Sequence, residues 1–144
     1  MPAWIGAGWS EYARRVPREF GLELVELRPE PRDRGRTIAQ ILAAEAVRIE
    51  AACGRSRVVA LDERGAPWTT RSFADALVRW RRDGDDVAFV IGSADGLAET
   101  VRKKAAAVVA LSALTLPHGL VRVIVAEQLY RAATIVSGHP YHRE

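Results

Sequence analysis

The chain has 144 residues, 49% of them hydrophobic, with a formal net charge of +3 and an isoelectric point near 9.5. That length and apolar content suit one domain around one core, and no apolar run approaches the roughly 20 residues that span a bilayer. Cys53 is the only cysteine, which excludes an internal disulfide and any cysteine-built metal site, and the opening Met1, Pro2, Ala3 and Trp4 lack the basic start of a signal peptide, so a cytosolic, metal-free protein is expected.

Trp4, Gly8, Trp9, Tyr12, Ala13 and Val16 recur at helical spacing until Pro17 and Gly21 break the pattern. Residues 22–27 interleave Leu22, Leu24, Val25 and Leu27 with Glu23 and Glu26, the pattern of a strand. A loop over 28–36 follows. Thr37 is placed to cap a helix carrying Ile38, Ile41, Leu42, Ala46 and Ile49 on one face, and Gly54 ends it. The β-branched run 57–61 predicts a buried strand, and 62–68 a turn-rich loop. Thr70 or Ser72 starts the next helix, whose inner face is Phe73, Leu77 and Trp80, and Gly84 stops it. A second buried strand is expected at 87–91, a loop at 92–96, a short helix at 97–107 and a last strand at 108–112. Uninterrupted apolar strands alternating with helices indicate a parallel α/β sheet, although the chain opens in a helix where that architecture places a strand.

The final third carries the most information. After Pro117 and His118 comes a helix with Leu120, Val121, Val123, Ile124, Val125, Ala126 and Leu129, apolar almost all round, which implies burial in the domain or at a subunit contact. Its polar members, Arg122, Glu127 and Arg131, therefore need a reason. Arg122 and Glu127 suit an internal pair or a subunit-contact pair, and Arg122 also lies one turn from His118, on the same face. His118 reads either as a turn histidine bonded to backbone or as a group aimed at a ligand. Leu61, Gly92 and the residues 111–116 all fall at C-terminal strand ends, where open α/β sheets bind ligands; together they form an apolar slot with exposed backbone groups, a surface suited to an adenine ring. Gly92 and Gly96 do not match the GxGxxG fingerprint, so no Rossmann nucleotide site is read. The positive charge is almost entirely arginine, lysine occurring only at Lys103 and Lys104; affinity for nucleic acid and a GC-rich genome account for it equally well.

Trp4, Glu11 with Tyr12, Leu61 with Asp62, Gly65, Pro67 and Trp68, Phe89 to Gly92 with Gly96 and Leu97, the 111–131 segment, and the closing His139, Pro140, Tyr141, His142 and Arg143 together resemble the ribosomal large-subunit (23S) pseudouridine N3-methyltransferase family, small enzymes of the SPOUT class. The resemblance spans nearly the whole chain. It implies a single knotted α/β domain over 1–144 that binds S-adenosylmethionine in a C-terminal trefoil knot, with Leu61, Gly92, Gly96, Leu111, Ser112, Ala113, Leu114, Thr115 and Leu116 as cofactor-binding residues. It implies that Tyr141, His142 and Arg143 are held over that pocket and, with His118, serve catalysis. It also implies a homodimer that acts on the assembled ribosome. Family members begin with an apolar strand and a Gly-Lys turn that this sequence lacks, so the first strand is expected to be missing, and the position after Gly92, usually a second glycine, is Ser93.

Each tail residue has a use there: Tyr141 to stack on an extruded base, Arg143 to bind phosphate or a uracil oxygen, and His142 to act as base or, protonated, to favour the imide anion. Arg14, Arg15, Arg34 and Arg122 are the candidate contacts to RNA, and a solvated charge run accounts equally well for Arg14, Arg15 and the 28–36 loop. Two further readings stay open: a binding module of the same fold that has lost catalysis, and a SPOUT enzyme acting on another RNA.

Overall fold

Three of the apolar runs form one parallel sheet in the computed structural model, which describes residues 1–33 and 35–143. In chain order the elements are α1 (Ala3–Ala13), a 3-10 turn (Arg18–Phe20), α2 (Ile38–Cys53), β1 (Arg57–Pro67), α3 (Thr70–Asp83), β2 (Val87–Ile91), α4 (Glu99–Lys104), β3 (Ala107–Ala110) and α5 (His118–Ser137). The sheet order is β2-β1-β3, both pairings are parallel, and the α/β class read from the sequence holds. Val59 and Ala60 on the central strand and Val109 on β3 are fully buried or nearly so, as near-continuous apolar strands require.

The chain divides into two compact units, one built from Met1–Leu24, Trp68–Gly84 and Leu116–Glu144, the other from Val25–Pro67 and Asp85–Thr115. In the first, α1 and α3 pack on α5, Thr70 donates to Gln128 Oε1 at 2.7 Å, and Trp68 meets Phe73 edge-on at 5.0 Å. Phe73, Leu77 and Trp80 are buried as the pattern predicts. The second unit contains the sheet with α2 and α4, around a core of Ala46, Ala60, Val90, Leu97 and Val101.

Helix starts follow local chemistry. Thr37 accepts from Gln40 N at 3.1 Å while Gln40 Oε1 accepts from Thr37 N at 2.9 Å, a complete capping box. Thr69, not Thr70 or Ser72, caps α3, and Ser72 is its reciprocal partner.

Other boundaries are corrected. Residues 22–27 form no strand: among the described residues no β-ladder includes them, and Leu24, Val25 and Leu27 are 38%, 58% and 37% exposed. Alternation fixes which side chains share a face, but a strand exists only through the ladder to a neighbour. Ile38 is also exposed, so the apolar face of α2 begins at Ile41. β1 does not stop at Leu61. It resumes after an irregularity, Leu61 and Ala66 both pairing with Val109, and ends at Pro67 opposite Ala110. The helix expected over 97–107 shrinks to Glu99–Lys104, because Ala106 N already donates to Val58 O at 2.8 Å and commits the chain to the sheet. The last strand accordingly runs from Ala107 to Ala110 rather than over 108–112.

Candidate functional site

Register brings the cofactor candidates of the second unit to one place. Leu61 pairs with Ile91 on one side and Val109 on the other, so β2 and β3 end at the same edge, beside Leu61 of β1. Gly92 follows Ile91 directly, and Leu111 follows Ala110. The loop 92–96 turns tightly: Gly96 N donates to Ser93 O at 2.9 Å, and Gly96 has φ +88°. A Cβ added at Gly92 would lie 2.5 Å from the Gly96 carbonyl carbon, so position 92 takes glycine because the loop closes on its own backbone. A Cβ at Gly96 would meet nothing within 4 Å, which leaves that side of the loop open.

Beyond β3 the chain is exposed at Ala113, Leu114 and Thr115 and half-buried at Leu111, Ser112 and Leu116. Two side-chain bonds shape it: Leu114 N donates to Ser112 Oγ at 2.9 Å and Thr115 Oγ1 to Glu63 Oε2 at 2.8 Å. Asp62, next to Leu61 on this edge, is a structural residue that site reasoning did not single out. Its nearly buried carboxylate accepts Arg64 N at 2.9 Å and the Arg64 guanidinium at two points 3.0 Å away, with Arg102 at 3.7 Å. The bonds from Arg64 hold its acidity stronger than that of an ordinary aspartate despite its burial.

In the first unit the tail is tied down. Gly138 adopts a left-handed conformation that ends α5, and His139 N donates back to Thr134 O at 2.9 Å, turning the chain along its own helix. Tyr141 then donates its hydroxyl to Glu127 Oε1 at 3.1 Å, while Arg131 Nε binds the same oxygen at 2.8 Å. Tyr141 also packs edge-on against Tyr130, ring centroids 4.6 Å apart, with the Arg131 guanidinium 4.6 Å from its own ring centre. Burial and the carboxylate of Glu127 raise the Tyr141 phenol above its ordinary acidity range. Arg131 Nη1 lies 3.3 Å from His142 Nδ1. A guanidinium only donates, so Nδ1 is the acceptor, and a neutral His142 carries its proton on Nε2. Glu127 is thus an internal anchor, one of the alternatives the sequence left open.

Not every candidate joins these groups. His118 opens α5, exposed, and Glu127 lies nine residues further on, about 13 Å along the axis. Arg122 shares the face of His118 and is half-buried; Arg143 is exposed. Arg14 and Arg15 both pair with Glu11, and Arg15 stands 5.8 Å from the centre of the Tyr12 ring and 5.9 Å from that of Tyr130. Arg34 lies outside the described residues. Ser93 directs its hydroxyl to Glu45 and Arg32. No group of three His, Cys, Asp or Glu side chains able to hold a metal occurs among the described residues, and no described helix is long and apolar enough to cross a membrane.

Comparison with known proteins identifies the family. A family profile described as predicted SPOUT methyltransferase matches residues 1–142. Proteins named ribosomal RNA large subunit methyltransferase H from Nitrosospira multiformis, Burkholderia mallei and Burkholderia pseudomallei are each 56% identical over 144 residues, covering 99% of this chain and 92% of theirs. With a match of that extent, and with the glycine loop and post-β3 segment at one end of a parallel sheet, the chain belongs to the SPOUT methyltransferase family.

Proposed function

We propose that this protein transfers a methyl group from S-adenosylmethionine to N3 of a pseudouridine in large-subunit ribosomal RNA. What carries the reading is the 56% identity over 99% of the chain to relatives named as large-subunit methyltransferases, joined to the convergence of Leu61, Gly92, Gly96 and Leu111 at one sheet edge. Under this reading the chain is one knotted domain, a reading supported by the family match across 1–142, and it works in the bacterial cytoplasm as a homodimer. Light scattering giving twice the 15.8 kDa chain mass checks the dimer.

The donor set fits the cofactor. Half-buried Leu111 supplies apolar surface beside buried Leu61, while the loop 92–96 and residues 112–115 supply neutral backbone groups, a combination suited to an adenosine edge. When bound, the cofactor supplies a methyl group already activated by positive sulfur. This chain's own residues must then orient the base, exclude water and handle the N3 proton. Tyr141, His142 and Arg143 are assigned to the base. His142, whose Nδ1 lies 3.3 Å from Arg131 Nη1, is assigned to the uracil ring, either as the base that takes the N3 proton or as a group that stabilises the developing negative charge. Arg143 adds positive charge that favours the deprotonated imide. His118 and Arg122 are assigned to the substrate side, and Arg14, Arg15 and Arg34 to the RNA backbone.

The test is incorporation of labelled methyl into ribosomes from a strain lacking the modification, for the full chain and for a chain ending at Pro140, beside cofactor titration of both. Loss of transfer with cofactor binding retained is the expected result. Transfer that survives truncation removes the tail from the active site, and absence of transfer by the full chain favours a binding module.

A further inference from the structure

The arginine-rich loop before α2 turns inward, onto one carboxylate. Glu45 on α2 is 8% exposed and accepts three bonds: from Glu30 N at 3.0 Å, Arg32 Nη1 at 3.3 Å and Ser93 Oγ at 2.8 Å. The same guanidinium extends Nη2 to Ser93 Oγ and to Asp95 Oδ2, each at 3.0 Å. Ser93 spends its one hydrogen on Glu45 and a lone pair on Arg32, so the three side chains lock in one hydrogen-bonding order. The loop that carries Arg32 is itself held to α2, since Arg48 donates to Arg28 O at 3.1 Å and, with Arg36, pairs with Glu30.

Loop 92–96 has little of its own to order it. Its described internal ties are the bond from Gly96 N to Ser93 O and the bridge between the same residues, and glycines at both ends widen its conformational choice. A buried carboxylate backing a guanidinium that reaches two loop side chains is the external restraint such a loop needs.

We propose that Arg32 is a positioning residue for the cofactor loop: backed by Glu45, it holds Ser93 and Asp95 and so fixes the conformation that loop 92–96 presents to S-adenosylmethionine. This rests on the proposed assignment of that loop to the cofactor. Binding to an already ordered loop loses less conformational freedom, so the clamp acts on affinity rather than on chemistry.

Hydrogen exchange of the 92–96 amides in cofactor-free protein and calorimetric titration with S-adenosylhomocysteine, on wild type, Arg32→Ala, Arg32→Lys and Asp95→Asn, test it. Arg32→Ala is expected to speed loop exchange at least about threefold, with the β2 amides unchanged, and to weaken binding about tenfold, the loss of one charge-assisted hydrogen bond. Arg32→Lys should recover only part, because an ammonium cannot span the four acceptors, the Glu30 carbonyl at 2.7 Å included, as a guanidinium does. At saturating cofactor, turnover should return to near wild type. Asp95→Asn breaks the ion pair while leaving Glu45 its donors, and it becomes the deciding variant if Arg32→Ala does not fold. Unchanged loop exchange in the folded variants overturns the proposal, as does faster exchange with undiminished affinity. A wild type that does not bind the probe overturns the cofactor assignment instead, and exchange alone then decides whether Arg32 holds the loop.

Discussion

Glu127 ties Tyr141 back to α5, and the phenol reports on that contact. The phenol is pushed up chiefly by burial and then by Glu127, so the tail contact is at full strength below the ordinary tyrosine value of 10.0 and is lost as pH rises through the higher folded value. Phenolate absorbance titration should therefore show a late-titrating tyrosine that Tyr141→Phe removes; an identical titration curve, less one ordinary tyrosine, would reject the contact with Glu127. Gly92 makes a sharper demand. A leucine there has no room beside the Gly96 backbone, so the loop must open; calorimetry is expected to show S-adenosylmethionine binding abolished while the circular dichroism spectrum persists, and retained affinity in a folded Gly92→Leu protein would take the loop out of the site. At this scale the sequence was half legible. Glu127 and Arg131 stood out because charge in an apolar helix needs a partner, and they partner each other one turn apart; the third member, Tyr141, is reached only through the left-handed turn at Gly138, whose direction no periodicity encodes.

Elements were legible where burial alone decides them. β2 runs from Val87 to Ile91 as expected, because a run apolar on every residue has no other stable place than a covered sheet. Residues 22–27 failed because a two-residue period describes a face and says nothing about a neighbour, and β1 ran long because its resumption at Ala66 depends on Val109 of β3, 43 residues away. The intervening turn carries its own prediction. Asp62, strengthened as an acid by Arg64, contributes stability that is complete above its ordinary value of 3.8 and fades as pH falls through the lower folded value. Asp62→Asn should cost about 1 kcal/mol at pH 7, the scale of a hydrogen bond to a charged group at a partly exposed partner, and progressively less on acidification. Urea midpoints of the two proteins at pH 7 and pH 3 measure it; a gap that does not narrow would mean that Asp62 acts by shape and not by charge.

For the molecule as a whole, the count of 21 lysines and arginines overstates the positive charge available to RNA. Arg14, Arg15, Arg32, Arg36, Arg48, Arg57, Arg64, Arg81, Arg82, Arg102 and Arg131 all sit in ion pairs within the chain, so attraction to RNA must come from the remainder or from pairs that are easily exchanged. The pairs of Arg14 and Arg15 with Glu11 are of the second kind: they are well exposed, and an exposed ion pair is worth about 0–1 kcal/mol, less than a cation gains by displacing counterions from a phosphate. If both arginines reach the ribosomal RNA backbone, replacing them with alanine should weaken ribosome binding most at low salt and lower the slope of log affinity against log salt by about 2 × 0.7–0.9, roughly 1.4–1.8 units for two phosphates. Arg14→Ala alone should take about half of that, and somewhat more than Arg15→Ala, whose guanidinium also leans on Tyr12 and Tyr130 and is less free to leave. Filter binding of ribosomal subunits from the unmodified strain between about 50 and 200 mM salt gives the slopes. A double variant with the wild-type slope would show that this face of α1 does not touch the RNA backbone, and would move the contact to the half-buried Arg122 or to the loop that contains Arg34.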